Sequence, residues 1–86
     1  MTQLVDPQKI KFTQKQGQYL AFIHYYIKMN GIPPAHTDFQ KYFKVTPPSV
    51  NQMLITLEKN NLMRRKPKTP RAIEILIPVE DIPALI

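Results

Sequence analysis

The chain has no cysteine in its 86 residues, which excludes disulfide staples, thiolate metal sites and cysteine nucleophiles together. Glycine is nearly as scarce, with only Gly17 and Gly31, so no glycine-rich loop is available to cradle a phosphate. No apolar run approaches the roughly 18 residues needed to span a bilayer. The stretch from Met1 to Lys11 also lacks the apolar centre of a secretion signal. Internal repeats and low-complexity segments are absent too. The expectation is an unstapled chain with one core, at home in the reducing cytoplasm.

What is present is a globular composition, 43% apolar, with a net charge of +6. An excess of cations points to a polyanionic partner, and its placement narrows the choice. Arg64, Arg65, Lys66, Lys68 and Arg71 lie within eight positions that hold no acid, whereas Glu80 and Asp81 sit in the tail. An enzyme is the weakest reading. His24 and His36 belong to no cluster of carboxylates or thiols at ligand spacing, so no catalytic residue, metal, cofactor or small-molecule ligand is expected.

Along the chain, residues 1–12 carry Pro7 and no convincing period, and read as an arm. Thr13-Gln14-Lys15-Gln16 matches a capping box, in which a hydroxyl and an amide satisfy free backbone donors at a helix start. The first helix is expected over 14–30, with Gly31 as a left-handed stop and Pro33-Pro34 forbidding continuation. Tyr19, Leu20, Ile23, Tyr26 and Ile27 share one face at helical spacing. Phe22, Tyr25 and Met29 widen that stripe beyond what one core contact needs, leaving Ala21, His24 and Lys28 for solvent.

A short second helix is expected over 36–43, supplying Phe39, Tyr42 and Phe43 to the core, followed by a tight turn at Lys44-Val45. Thr46-Pro47 is an N-cap with proline at the first helical position. It opens a third helix to about Asn60 that buries Val50, Met53, Leu54 and Leu57, with Asn61 as a left-handed terminator. Residues 62–66 and 72–77 read as two strands about the Pro67-Lys68-Thr69-Pro70 turn, with Ile73, Ile75 and Ile77 alternating. The fold class is therefore mainly α with a small β-hairpin, a three-helix winged helix-turn-helix. The expected division is an arm (1–12), a domain (13–77) and a tail (78–86), the last assigned no structure.

Two short helices joined by a tight turn present the second helix to the major groove of double-stranded DNA. The third helix turns Pro48, Ser49, Asn51, Gln52 and Thr56 outward. Asn and Gln match the adenine edge, and Ser or Thr can bond several edges. The helix start favours a phosphate, with Thr46 able to donate. The basic hairpin suits a phosphate backbone or minor groove, with binding that weakens as salt rises. The rival reading is a winged helix used for protein contact.

From Lys11 to Leu76, without a gap, these residues resemble the DNA-binding domain of LexA repressors. The likeness is carried by Thr13-Gln14-Lys15-Gln16, Asn30-Gly31-Ile32-Pro33-Pro34, Thr46-Pro47-Pro48-Ser49-Val50 and Leu54-Ile55-Thr56-Leu57-Glu58-Lys59. It is closest over Arg64 to Leu76. The resemblance implies a repressor-like regulator of transcription, a dimer on a two-fold operator, with bases read from the positions of Thr46, Pro48, Ser49, Asn51 and Gln52. It implies backbone contacts from the wing residues Arg64, Arg65, Lys66, Lys68 and Arg71. Asn51 and Gln52 stand where such repressors vary, and Ile55 stands where the family usually carries a basic residue. Ser49 is the single serine, so the family's self-cleaving Ser/Lys pair is not expected here. Tyr25 and Met29 replace residues the family pattern usually has polar. They are expected either to pack against a terminal segment (Leu4, Val5, Ile10, or Ile82, Leu85, Ile86) or to form a homodimer contact.

Overall fold

The computed structural model describes residues 12–66 and 73–86. The arm up to Lys11, the turn Pro67–Pro70 with Lys68, and Arg71 and Ala72 lie outside the described residues. Among those described, the order is α1 (Gln14–Asn30), α2 (His36–Phe43), α3 (Pro47–Lys59), β1 (Met63–Arg65), β2 (Ile73–Ile75) and a 3-10 turn (Val79–Asp81). The architecture is mainly helical with an antiparallel two-stranded hairpin.

Both ends of α1 follow from local chemistry. The Gln16 backbone N–H donates to Thr13 Oγ1 at 3.1 Å, and the Thr13 N–H donates to Gln16 Oε1 at 2.9 Å. Two orphan donors are thereby satisfied reciprocally. At the far end Gly31 adopts φ 77° and returns its N–H to Ile27 O at 2.7 Å, a conformation that costs a residue without Cβ nothing.

Tyr19, Leu20 and Ile23 of α1 are fully buried with Phe39, Val50, Leu54, Leu57, Leu62 and Met63. Ala21, expected to face solvent, is also fully buried. Gly17, on the same side of α1, is buried as well. Phe12 and the tail residue Pro83 approach the helix at Gly17, and Ala21 lies one turn further along that side. Phe22 accounts for part of the surplus apolar surface, because its ring sits 4.8–5.5 Å from those of Tyr42, Phe39 and Phe43. Tyr42 closes that cluster from the outside and stays 42% exposed rather than joining the core.

The second helix begins with Asp38 Oδ2 accepting the Ala35 N–H at 2.7 Å, the acidic side chain satisfying a donor in the first turn. Lys44, left-handed at φ 56°, ends it. After α3 the left-handed Asn61 (φ 60°) turns the chain, and the Leu62 N–H reaches back to Leu57 O at 2.9 Å. Strand β1 is shorter at each end than the alternation predicts, and β2 stops at Ile75 rather than Ile77. One further backbone bond, from Leu76 N–H to Leu62 O at 2.9 Å, carries the pairing past β1 and β2 without making either longer.

The tail, which the sequence pattern left unassigned, is tied down. Ile82 and Leu85 pack on the core. Gln18 donates from Nε2 to Ala84 O and accepts the Ile86 N–H at Oε1, both at 2.9 Å. Tyr42 Oη donates to Ile86 O at 2.7 Å. Residues 82–86 therefore brace α1 against α2, the pair of helices that carries α3. Among the described residues, no helix is long and apolar enough to cross a membrane.

Candidate nucleic-acid interface

The loop between α2 and α3 is three residues long, Lys44 to Thr46, and its geometry is set by side-chain chemistry. Thr46 is extended (φ −81°, ψ 158°) with Pro47 as first helical residue. Its Oγ1 accepts the Ser49 N–H at 3.4 Å and donates to Ser49 Oγ at 3.0 Å. Both hydroxyls thus sit side by side at the start of α3, whose dipole favours an anion; the first turn has no backbone N–H to spare, since Pro47 and Pro48 carry none and those of Ser49 and Val50 bond to Thr46.

Along α3, burial divides the helix cleanly. Val50, Leu54 and Leu57 are at most 1% exposed and hold the helix on the domain. Pro48, Ser49, Asn51 and Gln52 are all exposed, so with Thr46 the five residues expected to read bases stand on one accessible surface. Thr56 does not join them. It is half-buried, and its hydroxyl donates to Gln52 O at 2.9 Å, the back-bonding that a mid-helix threonine favours. Ile55 does stand on this surface, 41% exposed. No charged side chain occurs from Thr46 to Leu57, so whatever this face contacts, it contacts with dipoles and apolar atoms.

The hairpin carries the charge, and its cations differ in their surroundings. The register places Arg64 opposite Glu74. Their side chains form an ion pair with both groups well exposed, 62% and 44%. Arg65 turns the other way, towards α3. Its Nε donates to Glu58 Oε1 at 2.9 Å, Nη2 makes a second bond to the same oxygen, and the Arg65 backbone N–H donates to Glu58 Oε2 at 3.4 Å. These bonds hold the Glu58 carboxyl below its usual range despite the opposing effect of partial burial. Arg64 does the same for Glu74. Lys66 is exposed on the edge of the groove between the hairpin and α1, beside Lys28 and His24. Lys68 and Arg71 lie outside the described residues.

Glu58 and Glu74 are the residues that the reading of motifs missed. A signal for Glu74 was available: setting apolar opposite apolar across the hairpin puts Met63 against Ile75, and Arg64 must then face Glu74. Tyr25 and Met29 stay 37% and 83% exposed. The described tail runs past Gly17, Gln18 and Tyr42. Among the described residues there is no group of three or more His, Asp or Glu side chains that could hold a metal ion.

Comparison with known proteins agrees with this geometry. A family model described as the LexA DNA binding domain matches residues 9–72. The chain is 42% identical over 72 residues to the LexA repressor of Thermosipho melanesiensis, covering 84% of this chain and 36% of that protein. It is 36% identical over 66 residues to the LexA repressor of Thermosipho africanus, covering 77% and 33%. Against that of Thermotoga maritima the identity is 38% over 63 residues, covering 73% and 32%. The chain spans about a third of the length of these curated relatives.

Proposed function

The chain belongs to the LexA DNA-binding domain family, and we propose that it binds double-stranded DNA sequence-specifically as a repressor-like regulator of transcription. In this reading α3 enters the major groove and Thr46, Pro48, Ser49, Asn51 and Gln52 read base edges. The wing residues Arg64, Arg65, Lys66, Lys68 and Arg71 lie against the backbone or minor groove. The observation that carries the reading is the α3 surface itself. Pro48, Ser49, Asn51 and Gln52, exposed in its first two turns, sit beside a hydroxyl-capped helix start, and the cationic hairpin follows directly. The wing arginines divide further by their partners. Arg64 is free to exchange exposed Glu74 for a phosphate, whereas Arg65 serves first to hold the wing on α3.

One small module gives limited specific affinity, and two-fold sites are the usual remedy. The exposed Tyr25 and Met29 provide apolar surface on which a second copy would pair. Selection of binding sites from a random duplex pool tests both points. The expected product is a defined motif arranged as two symmetric halves, bound with a steep salt dependence. Gln52→Ala relaxes the preference at one position without altering the slope, and Arg64→Ala flattens the slope without altering the preference. Absence of duplex binding at low salt would favour the rival role in protein contact.

A further inference from the structure

Building on the DNA-reading role, we infer that α3 recognises thymine through its C5 methyl group, with Ile55 and Pro48 as the reading side chains. The starting point is an aliphatic side chain that the fold does not use. Ile55 is 41% exposed while its neighbours Val50, Leu54 and Leu57 are at most 1% exposed, so it adds little to the core. It is also β-branched, and such residues have no advantage on an exposed helix surface.

Its position explains it better. Residues seven apart return to almost the same side of an α-helix, so Pro48 and Ile55 form one strip. Asn51 and Gln52 flank that strip on either side. The rise between Pro48 and Ile55 is about 10 Å, on the order of three base-pair steps of B-DNA. The rest of this surface from Pro48 onward offers polar groups rather than bulky apolar ones: no charged side chain occurs from Thr46 to Leu57, and the Thr56 hydroxyl is spent on Gln52 O.

A neutral helix in the major groove has hydrogen bonds and apolar contacts to work with, and the groove offers one apolar group that reports sequence, the thymine methyl. Asn51 and Gln52, whose amides suit adenine N6 and N7, complete the same preference. The half-site is therefore rich in A·T pairs, with thymine methyls spaced about three pairs apart under Pro48 and Ile55.

The test replaces thymines of a selected duplex by deoxyuridine one at a time, which removes the methyl and keeps every hydrogen-bonding group. Two positions about three base pairs apart should each lose about fourfold in affinity, the worth of one buried methyl-sized group. Ile55→Ala should abolish the loss at one of them and keep it at the other. Because Ile55 is exposed, that variant should melt like the parent, and a matching thermal transition verifies it. If every deoxyuridine duplex binds the parent within twofold of the unsubstituted one, or if Ile55→Ala stays equally sensitive at both positions, the inference is overturned. Failure to bind any unsubstituted duplex would instead remove the DNA-reading role, and this inference with it.

Discussion

Replacing Glu74 by glutamine removes the sole acid between Glu58 and Glu80 while keeping the side chain's length and one acceptor for Arg64. The pair it forms with Arg64 is exposed, 62% for the arginine and 44% for the glutamate. Little desolvation energy is therefore at stake in the free protein. The register Met63↔Ile75, Arg64↔Glu74, Arg65↔Ile73 rests on backbone bonds and the apolar pair on the other face, neither of which the substitution touches. The thermal transition should stay where it is. DNA binding should not. On the proposed reading, Arg64 of the parent would meet a phosphate only after giving up a carboxylate held close by, and that carboxylate would then face the phosphates as a like charge.

In Glu74→Gln the guanidinium is free from the outset, which adds up to one neutralised phosphate. The slope of log K against log salt should steepen by about 0.9. Between 50 and 200 mM salt, a fourfold rise, the variant should lose about 3.5-fold more affinity than the parent, starting from a higher value at the low end. Fluorescence anisotropy on one duplex across that range measures both quantities. A slope unchanged or shallower than the parent's would refute the assignment of Arg64 to the phosphate backbone, and an affinity lowered at 50 mM would show that Glu74 helps the contact rather than competing with it.

Arg65→Ala should behave differently, lowering stability by about 1 kcal/mol through loss of a partly exposed charge-assisted pair, with a salt slope closer to the parent's than that of Arg64→Ala. Arg65 holds the Glu58 carboxyl below its ordinary value of 4.5, so the pair's contribution is fully present above about pH 4.5 and is lost as pH falls through the lowered value. Urea titrations from pH 6 to pH 3 should therefore show the parent converging on Arg65→Ala at the acid end, and parallel curves would contradict the linkage. Gly17→Ala gains about 1 kcal/mol of helix propensity, but the added Cβ would lie 2.8 Å from a Phe12 ring carbon and 3.0 Å from Pro83 Cγ. Overpacking of that kind costs about 1–3 kcal/mol, so a net loss is expected together with faster amide exchange at Ile86, whereas a raised melting temperature would show that the tail yields freely.

The contrast between the two arginines marks where one-dimensional reading runs out. Helix ends are local events: a hydroxyl three residues from an amide, a glycine before two prolines, a threonine before a proline. Each was legible because the partners lie within one turn of chain, and the same holds for the exposed positions of α3, which follow from helical period once its start is known. The tail was not legible, since its bonds to Gln18 come from 66 to 68 residues away, and Pro83 joins the nearby Phe12 over Gly17. The wing falls between these cases. Its run of cations is visible in the sequence, but the division of labour depends on strand parity, which sends Arg64 to Glu74 and Arg65 to the last turns of α3. A one-residue slip in that register would exchange the two roles. The hairpin's apolar pairing of Met63 with Ile75 therefore decides which arginine holds the wing on α3 and which stands exposed beside Glu74.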